Sequence, residues 1–350
     1  MLPLWWSVMW RSRLMRGVSI NSLYTSLCFL AVACLSLPLL AATPQAQAQG
    51  GDTQLLARID SAARKINYSG LYVFQQGQHV QSLRITHMVD KGQTWEKLEV
   101  LDGKPQEIVR HNDDVQVYYP QTQTIVQQRR VQGDQFPGLL MGDHYEWQNH
   151  YILKRGQDER VAGHDCELIH LEPRDHLRYG HKLWADKKTG LLLKAQTLNE
   201  RGDILEQVAF SEVKIHLPFD RHRVAPSWAT QNWRVERQEI QPHAWIAEGW
   251  QFRQLPPGFR KQAELKRPKG DSKEGQANLG QVIFSDGLTA LSVFVEPYNE
   301  QLHQQETLKN SGAAHILAKR VANFWVVIVG DAPAETIRKL AAGIEFKSVR

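Results

Sequence analysis

The stretch between Tyr68 and Val131 constrains the fold most, because short runs of alternating apolar and polar residues follow one another there. The runs span residues 68–74, 80–89, 94–101, 115–120 and 124–131. Turn-forming residues such as glycine, aspartate and proline separate them, as between the strands of an antiparallel meander. A sheet of this length has to curl because its strands twist. We therefore expect a curled antiparallel sheet with a concave face.

The chain beyond this stretch divides into further parts. Strand-like runs continue through residues 50–216, and a helix from about Asp52 to Ile66 is expected to pack on the sheet of this large domain. Residues 217–232 have prolines, basic residues and no period, which indicates a linker. Residues 233–350 are expected to form a smaller domain with a sheet and a covering helix, so the fold class is α+β.

Three elements of the small domain can be placed in advance. Its first strand is expected over residues 233–240, and the polar, glycine-rich residues 266–279 are expected to form a long exposed loop. Its last helix is expected to have Asp331 as its N-cap and Pro333 in its first turn.

Residues 1–48 have the features of an export signal. Three arginines precede an apolar run over residues 27–40, which at 14 residues is too short for a comfortable membrane span. Ala46-Gln47-Ala48 fits a signal cleavage site. We expect this segment to be removed on export to an oxidising compartment; translation from Met9 or Met15 is an alternative start.

Removing the signal changes the charge of the chain. The chain has 42 Lys and Arg and 37 Asp and Glu, and the signal holds three Arg and no acidic residue, so 39 basic residues face 37 acidic ones in the mature protein. A nearly neutral protein with interspersed charges gives no electrostatic case for binding nucleic acid. Cys166 is then the one remaining cysteine, which excludes an internal disulfide. A lipid-bearing Cys34 is the alternative to a plain cysteine within the signal.

Motifs for catalysis are absent from the sequence: it has no nucleophile elbow, phosphate-binding loop or zinc-protease motif. The nearest constellation is His164, Cys166 and His170, which would share one face of a strand and could hold zinc with a fourth ligand. A core cysteine between exposed histidines is the simpler interpretation, and we favour it. A hydrolase that uses Cys166 would need an exposed thiolate beside a base, whereas the apolar neighbours of Cys166 indicate burial. We therefore predict no enzyme activity, no metal and no cofactor.

The better candidates for function are apolar. The sheet carries more aromatic residues than its core alone requires, and we expect some of them to line a groove for an acyl chain or an apolar peptide. Residues 136–142 are apolar and flanked by glycine, and they form either a buried corner or a mobile flap over the concave face. The candidate groove residues are Tyr72, Phe74, Trp95, Tyr118, Tyr119, Phe136, Leu139, Leu140, Met141 and Trp184. Taken singly, each is more often a core residue than a ligand contact.

A set of short motifs occurs in order along the mature chain. They are Trp184-Ala185-Asp186, residues 190–193, 202–207, 255–259, 284–288, 292–295 and 328–331. In this order they resemble the MucB/RseB family of periplasmic regulators of the extracytoplasmic-stress sigma factor. The similarity runs from about Leu55 to Phe346.

The resemblance implies more than the residues do. It implies an unclosed half-barrel like that of lipoprotein carriers, a location in the periplasm and no catalytic residues. It also implies binding to the periplasmic domain of a membrane-spanning anti-sigma factor, which is shielded from regulated proteolysis so that the sigma factor is restrained, with release by lipid or lipopolysaccharide. A periplasmic lipid or lipoprotein carrier is the alternative, although a pure carrier has no evident need for residues 233–350. The partner-contact residues, the identity of the lipid and the oligomeric state, a homo-oligomer included, stay open.

Overall fold

The computed structural model describes residues 45–129, 147–268, 278–303 and 305–347. Most of the expected export signal and four of the candidate groove residues, Phe136, Leu139, Leu140 and Met141, lie outside the described residues. None of the helices within the described ranges has the length and apolar character needed to cross a membrane.

A sheet of 13 strands makes up the first and larger part of the fold. Its strands are β1 (Tyr68–Gln76), β2 (His79–Asp90), β3 (Gln93–Val100), β4 (Gln106–His111), β5 (Asp114–Tyr119), β6 (Thr124–Arg129), β7 (Tyr151–Arg155), β8 (Glu159–Val161), β9 (His164–Pro173), β10 (Gly180–Asp186), β11 (Leu192–Leu198), β12 (Ile204–Ile215) and β13 (Arg234–Gln238). The order is β13-β6-β5-β4-β3-β2-β1-β12-β11-β10-β9-β7, with β8 also paired to β9. Because β13 and β7 end the order without pairing to each other, the curled sheet is unclosed, as expected.

One strand of this sheet comes from an unexpected place. Residues 233–240 were expected to begin the small domain, but β13 pairs in parallel with β6 and extends the large sheet. Every other pairing in the sheet is antiparallel. The chain can make this parallel pair because a long connection separates the two strands, which a parallel pair requires.

The core of the large domain lies between one face of the sheet and helix α1 (Gln45–Lys65). On β1, Tyr68, Gly70, Tyr72 and Phe74 are buried, and the residues that alternate with them are only partly buried, as strand alternation requires. The apolar stripe of α1 includes Leu56 and Ile59, and both are fully buried in the same core. The helix begins at Gln45, ahead of the expected cap at Asp52, because the alanines and glutamines of this stretch favour helix.

The second part of the fold is built on a sheet of seven strands. Its strands are β14 (Gln241–Pro242), β16 (Arg260–Pro268), β17 (Asn278–Ser285), β18 (Ala290–Pro297), β19 (Thr307–Ser311), β20 (Ala314–Val321) and β21 (Phe324–Gly330). The order is β14-β16-β17-β18-β21-β20-β19. Strands β15 (Trp250–Phe252) and β22 (Ile344–Phe346) form a separate pair.

Helix α2 (Ala334–Ala342) covers the core of the small sheet through Ile337, Leu340 and Ala341. Its N-cap is Pro333 rather than the expected Asp331, and no side chain caps it. The Asp331 side chain is instead almost completely buried ahead of the helix. The expected helix is therefore confirmed in place, and its start is shifted by the fixed φ of proline.

Candidate functional site

Tyr72 and Phe74 lie buried on the face of the sheet that α1 covers. Tyr72 pairs across the sheet with Leu83 and Phe210, and its ring centroid lies 5.8 Å from that of Phe210 in an edge-on contact. Burial raises the pKa of the Tyr72 phenol above its ordinary value, so the hydroxyl stays protonated in this apolar setting. These side chains offer a large apolar contact surface and no charge.

Trp95 and Tyr118 lie on the opposite, outer face of the same sheet. Trp95 stacks on His111 with centroids 4.8 Å apart, and its ring lies 5.1 Å from that of Phe219 in the segment after β12. The Tyr118 ring lies 6.3 Å from that of Trp233. The register between neighbouring strands places Val100 of β3 and Val117 of β5 on the Tyr72 face. Because side chains alternate between the faces of a strand, Trp95 and Tyr118 lie on the other face and cannot share a groove with Tyr72.

Trp184 lies on the face opposite to Tyr72. Tyr119 lies on the same face as Tyr72 but far from it. Trp184 donates a hydrogen bond from Nε1 to Glu159 over 2.9 Å, and the Nζ of Lys194 lies 4.3 Å from its ring centroid, both on the outer face. Tyr119 has the orientation of Tyr72 but lies on β5, four strands away in the sheet order. Four strand spacings amount to about 19 Å.

Three of the described candidate residues, Tyr72, Phe74 and Trp184, belong to one buried hydrophobic cluster, and of these Tyr72 and Phe74 share one face of a strand. Aliphatic side chains that sequence reasoning did not single out complete the same face. They include Leu83, Ile85, Leu98, Leu183 and Val208, all buried in one core with Tyr72. The signal that could have found them is their spacing of two residues within each strand. Aromatic character alone selected residues from both faces.

The expected linker covers the outer face of the sheet. Lys97 and Glu107 are almost fully buried there, with their charged atoms 3.2 Å apart. Lys97 donates to the Ser227 hydroxyl over 2.6 Å, and Glu107 accepts from the Ser227 backbone N–H over 3.0 Å. One serine of the linker therefore bonds to both members of a buried ion pair. The linker is attached to the sheet at this point.

A buried arginine joins the two parts of the fold. The Arg178 guanidinium, in the loop between β9 and β10, donates to Asp286 over 2.7 Å, and both side chains are 0% exposed. It also donates to Asp175 over 3.0 Å and to the Pro257 carbonyl over 2.6 Å. The Asp286 carboxylate in turn accepts from backbone N–H groups in its own turn. Such bonds satisfy charges that would otherwise be costly to bury.

Aromatic and polar contacts surround this ion pair. The guanidinium carbon of Arg178 lies 5.7 Å from the ring centroids of both Tyr151 and Phe259, one from each domain. The Thr336 hydroxyl at the start of α2 donates to the Leu177 carbonyl. We call the loop of residues 174–179 the junction loop, because its side chains and backbone contact the small domain at several points.

The one cysteine in the described ranges has no features of a nucleophile. Cys166 is buried, and burial, with a smaller effect of Asp186, raises the pKa of its thiol to about 11. The Nδ1 of His164 lies 3.4 Å from the Asp186 carboxylate. Across the residues that the structure describes, His, Cys, Asp and Glu form no group of three or more that could hold a metal ion.

Comparisons with known proteins extend over nearly the whole described chain. The model of the MucB/RseB N-terminal domain matches residues 52–228, and that of the MucB/RseB C-terminal domain matches residues 246–345. The sigma-E factor regulatory protein RseB of Haemophilus influenzae is 25% identical over 323 residues, 89% of this chain and 97% of that protein. The sigma factor AlgU regulatory protein MucB of Pseudomonas aeruginosa is 28% identical over 316 residues, 87% of this chain and 94% of that protein.

A solved structure agrees in fold. The crystal structure of MucB in complex with MucA(peri) has a TM-score of 0.65 and 25% sequence identity, and the match covers 85% of this chain and 99% of that chain. Curated relatives carry the names of regulatory proteins. Because the two family models match in order and together span most of the fold, the chain belongs to the MucB/RseB family.

Proposed function

We propose that this protein is a periplasmic regulator that binds the extracytoplasmic domain of a membrane-spanning anti-sigma factor. Binding shields that domain from regulated proteolysis, and the anti-sigma factor then continues to restrain its envelope-stress sigma factor. In this proposal lipid or lipopolysaccharide species release the complex. The protein acts by binding and has no catalytic step of its own.

One observation carries the proposal: both halves of the chain match the family in order and at nearly full length. A related protein, MucB, has been crystallised with MucA(peri), and that chain is covered over 99% of its length. A relationship of this extent preserves both domains and the connection between them. The expected export signal supports the periplasmic location.

The junction between the domains supports a binding role. The buried ion pair of Arg178 and Asp286 and the two aromatic rings that face the guanidinium hold the small domain in one orientation against the large sheet. A partner that contacts both domains would meet a preorganised surface, and preorganisation reduces the entropy lost on binding. Occlusion of a protease site then requires only that the bound segment is ordered or covered.

Release by lipid is consistent with energies of ordinary size. An acyl chain of about 12 carbons that took the place of α1 against the apolar face around Tyr72 and Phe74 could gain roughly 10 kcal/mol before entropy costs and the loss of the α1 contacts. A partner of micromolar affinity is bound by about 8 kcal/mol. The lipid can displace the partner only if it binds the two states of the protein with different affinities.

Isothermal titration tests the binding step. The mature chain is titrated with the recombinant periplasmic domain of the anti-sigma factor from the same organism, and we expect a saturable interaction of micromolar or higher affinity. Titrations are repeated with lipopolysaccharide below its aggregation limit, with an acyl-free core oligosaccharide as the control. Absence of any binding would contradict the regulator proposal. Equal affinity with and without lipopolysaccharide would contradict the release step alone.

The alternative is a periplasmic lipid or lipoprotein carrier. The apolar face of an unclosed sheet favours it, because such a face is suited to acyl chains. Organic extraction of freshly purified protein distinguishes the two functions. A carrier yields lipid in stoichiometric amount and does not bind the anti-sigma domain, whereas a regulator binds that domain.

A further inference from the structure

The ends of the two sheets differ in how far they are protected against further strand pairing. An edge strand presents unpaired backbone groups, and charges, proline and short length normally protect it. Strand β14 has two residues and ends at Pro242. Strand β13 carries an ion pair between Arg234 and Glu236, and β7 carries one from Lys154 to Glu172 on β9. Strand β19 has five residues, one charge and no proline.

The backbone of β19 has a defined set of outward groups. A two-residue turn, Gly312-Ala313, connects Ser311 to its partner Ala314 on β20. In a hairpin of this kind the pair next to the turn is hydrogen-bonded, and bonded pairs then alternate along the strand. Ser311 and every second residue before it therefore bond to β20. The N–H and C=O groups of Leu308 and Asn310 point away from the sheet.

The side chain of Leu308 lies at the end of a buried row. Across the sheet its partners are, in succession, Leu317, Ile328, Val293 and Val282. Ile328, Val293 and Val282 are 0% exposed, whereas Leu308 is 36% exposed. An added strand with an apolar residue opposite Leu308 would extend the row and cover this side chain.

The tip of the same hairpin lies against the large domain. A Cβ on Gly312 would meet the Gln76 side chain of β1 and, at 3.1 Å, the Leu205 carbonyl of β12. Glycine is required here both for its φ of 56° and for this close approach. Among the strands that the structure describes, none pairs with the outer side of β19. This edge therefore starts at the junction between the domains and is held in a fixed position.

A second copy of this chain fits the edge poorly. If two β19 strands paired antiparallel through Leu308 and Asn310, the two Lys309 residues would lie directly opposite each other. Directly opposed like charges destabilise a strand pair. A strand that carries an acidic residue at that position would instead pair favourably with Lys309.

We propose that β19 accepts an extended segment of the anti-sigma factor's periplasmic domain as an added strand. This inference rests on the proposed function and specifies its contact surface. The segment forms hydrogen bonds with the outward backbone groups of Leu308 and Asn310. It places an apolar side chain beside Leu308 and an acidic side chain beside Lys309. Backbone hydrogen bonds supply the affinity of such an added strand, and the pattern of its side chains supplies the specificity, as in other cases of strand addition.

A proline substitution tests the inference with little cost to the fold. Leu308→Pro removes an outward N–H, which an edge strand tolerates because that group takes no part in the ladder. Leu308→Ala trims the same side chain but keeps the N–H and serves as the matched control. In titrations with the recombinant periplasmic domain, we expect the affinity of the proline variant to be at least tenfold lower than that of the wild type. The affinity of the alanine variant should be only a few-fold lower.

Amide exchange on the unmodified protein provides a second measurement that needs no variant. Exchange at Leu308 and Asn310 should slow when the periplasmic domain is added, and exchange in β13 should not.

Wild-type binding with unchanged affinity in Leu308→Pro and unchanged exchange would overturn the edge contact and leave the proposed function intact. No binding by the wild-type chain would instead refute the proposed function. A dimer that Leu308→Pro converts to a monomer, with partner affinity unchanged, would assign the edge to a second copy and overturn the inference.

Discussion

Arg178 shows how much one residue contributes to the arrangement of this molecule. Burial raises the pKa of the Asp286 carboxyl, and the guanidinium of Arg178 acts in the opposite direction. The pair is stable because further bonds to Asp175 and to the Pro257 carbonyl use the remaining donors of Arg178. A buried charge that loses its partner is far more costly than the pair itself is stabilising.

We expect Asp286→Asn to lower the free energy of unfolding by about 3 kcal/mol, because it leaves the Arg178 charge buried and only partly paired. The variant keeps the Oδ1 acceptor that bonds to the N–H groups of Leu288 and Thr289. Asp60→Asn, which removes a partly exposed pair with Arg64, is the matched control and should cost less than about 1 kcal/mol. Urea unfolding measures both, and equal effects would contradict the role of the buried pair.

His181 gives the protein a specific sensitivity to acid. It lies partly buried beside Tyr151, with the centroids of the two rings 6.1 Å apart, and burial lowers the pKa of its imidazole to about 3. The stabilisation by neutral His181 is present above the ordinary pKa of 6.5 and is lost as the pH falls towards 3, by about 1.4 kcal/mol for each pH unit. Between pH 7 and pH 5 we therefore expect His181→Phe to lose about 2 kcal/mol less stability than the wild type does. Exposed His79→Gln is the control, and parallel pH profiles for all three proteins would refute this prediction.

At the scale of elements, strand alternation made most of the fold predictable. The alternating runs, the helix packed on the sheet and the last helix are all observed near their expected positions. Strands β4 and β8 were not expected, because two of the six residues of β4 are charged, Glu107 and Arg110, and β8 has only three residues. The membership of β13 in the large sheet could not be predicted, since a pairing over more than a hundred residues leaves no local pattern.

The candidate groove was less predictable than the strands. Residue type selected Trp95, Tyr118 and Trp184, but face is set by register, and these side chains lie on the outer face. Trp95 and Tyr118 pack there against Phe219 and Trp233 of the segment after β12, whereas Trp184 contacts Glu159 and Lys194. Function in this fold therefore has to be assigned by face and not by composition.

The linker offers a test of that packing. Trp233 stacks on Trp228 with centroids 5.9 Å apart and lies beside Tyr118. We expect Trp233→Ala to lower the free energy of unfolding by about 2 kcal/mol and to speed tryptic cleavage after Arg221 and Arg223 several-fold. Ile246→Ala, at a residue 56% exposed, should leave both unchanged. Cleavage at the wild-type rate in the tryptophan variant would show that the linker is not held by this stack.

Strand β1 contains a glycine that its pairing requires. A Cβ on Gly70 would meet the Glu212 carbonyl and would lie 2.8 Å from the Phe210 ring, where the register of β1 and β12 shifts. We expect Gly70→Ala to lower the free energy of unfolding by about 2–3 kcal/mol. In α1, where nothing lies within 4 Å of the site, Gly51→Ala should stabilise by up to about 1 kcal/mol. Thermal unfolding compares the two, and changes of the same sign would contradict the packing described here.

At the scale of the whole molecule, the two domains are joined in three ways. The junction loop contacts the small domain through the hydrogen bond from Arg178 to the Pro257 carbonyl. The linker lies on the outer face of the large sheet, and the turn between β19 and β20 contacts β1. Core residues of the small domain, Leu288 and Ala314, belong to the hydrophobic cluster of the large one. A partner bound across this junction would therefore meet a single surface.

Protease protection tests most directly the proposed shielding of a bound anti-sigma segment by this protein. The purified periplasmic domain of the anti-sigma factor is digested by its cognate site protease with and without the mature chain. We predict that equimolar chain slows cleavage at least tenfold, and that Asp286→Asn protects less because the two domains are no longer held in one orientation. Cleavage at the same rate with and without the wild-type chain, under conditions in which the complex is formed, would contradict the account.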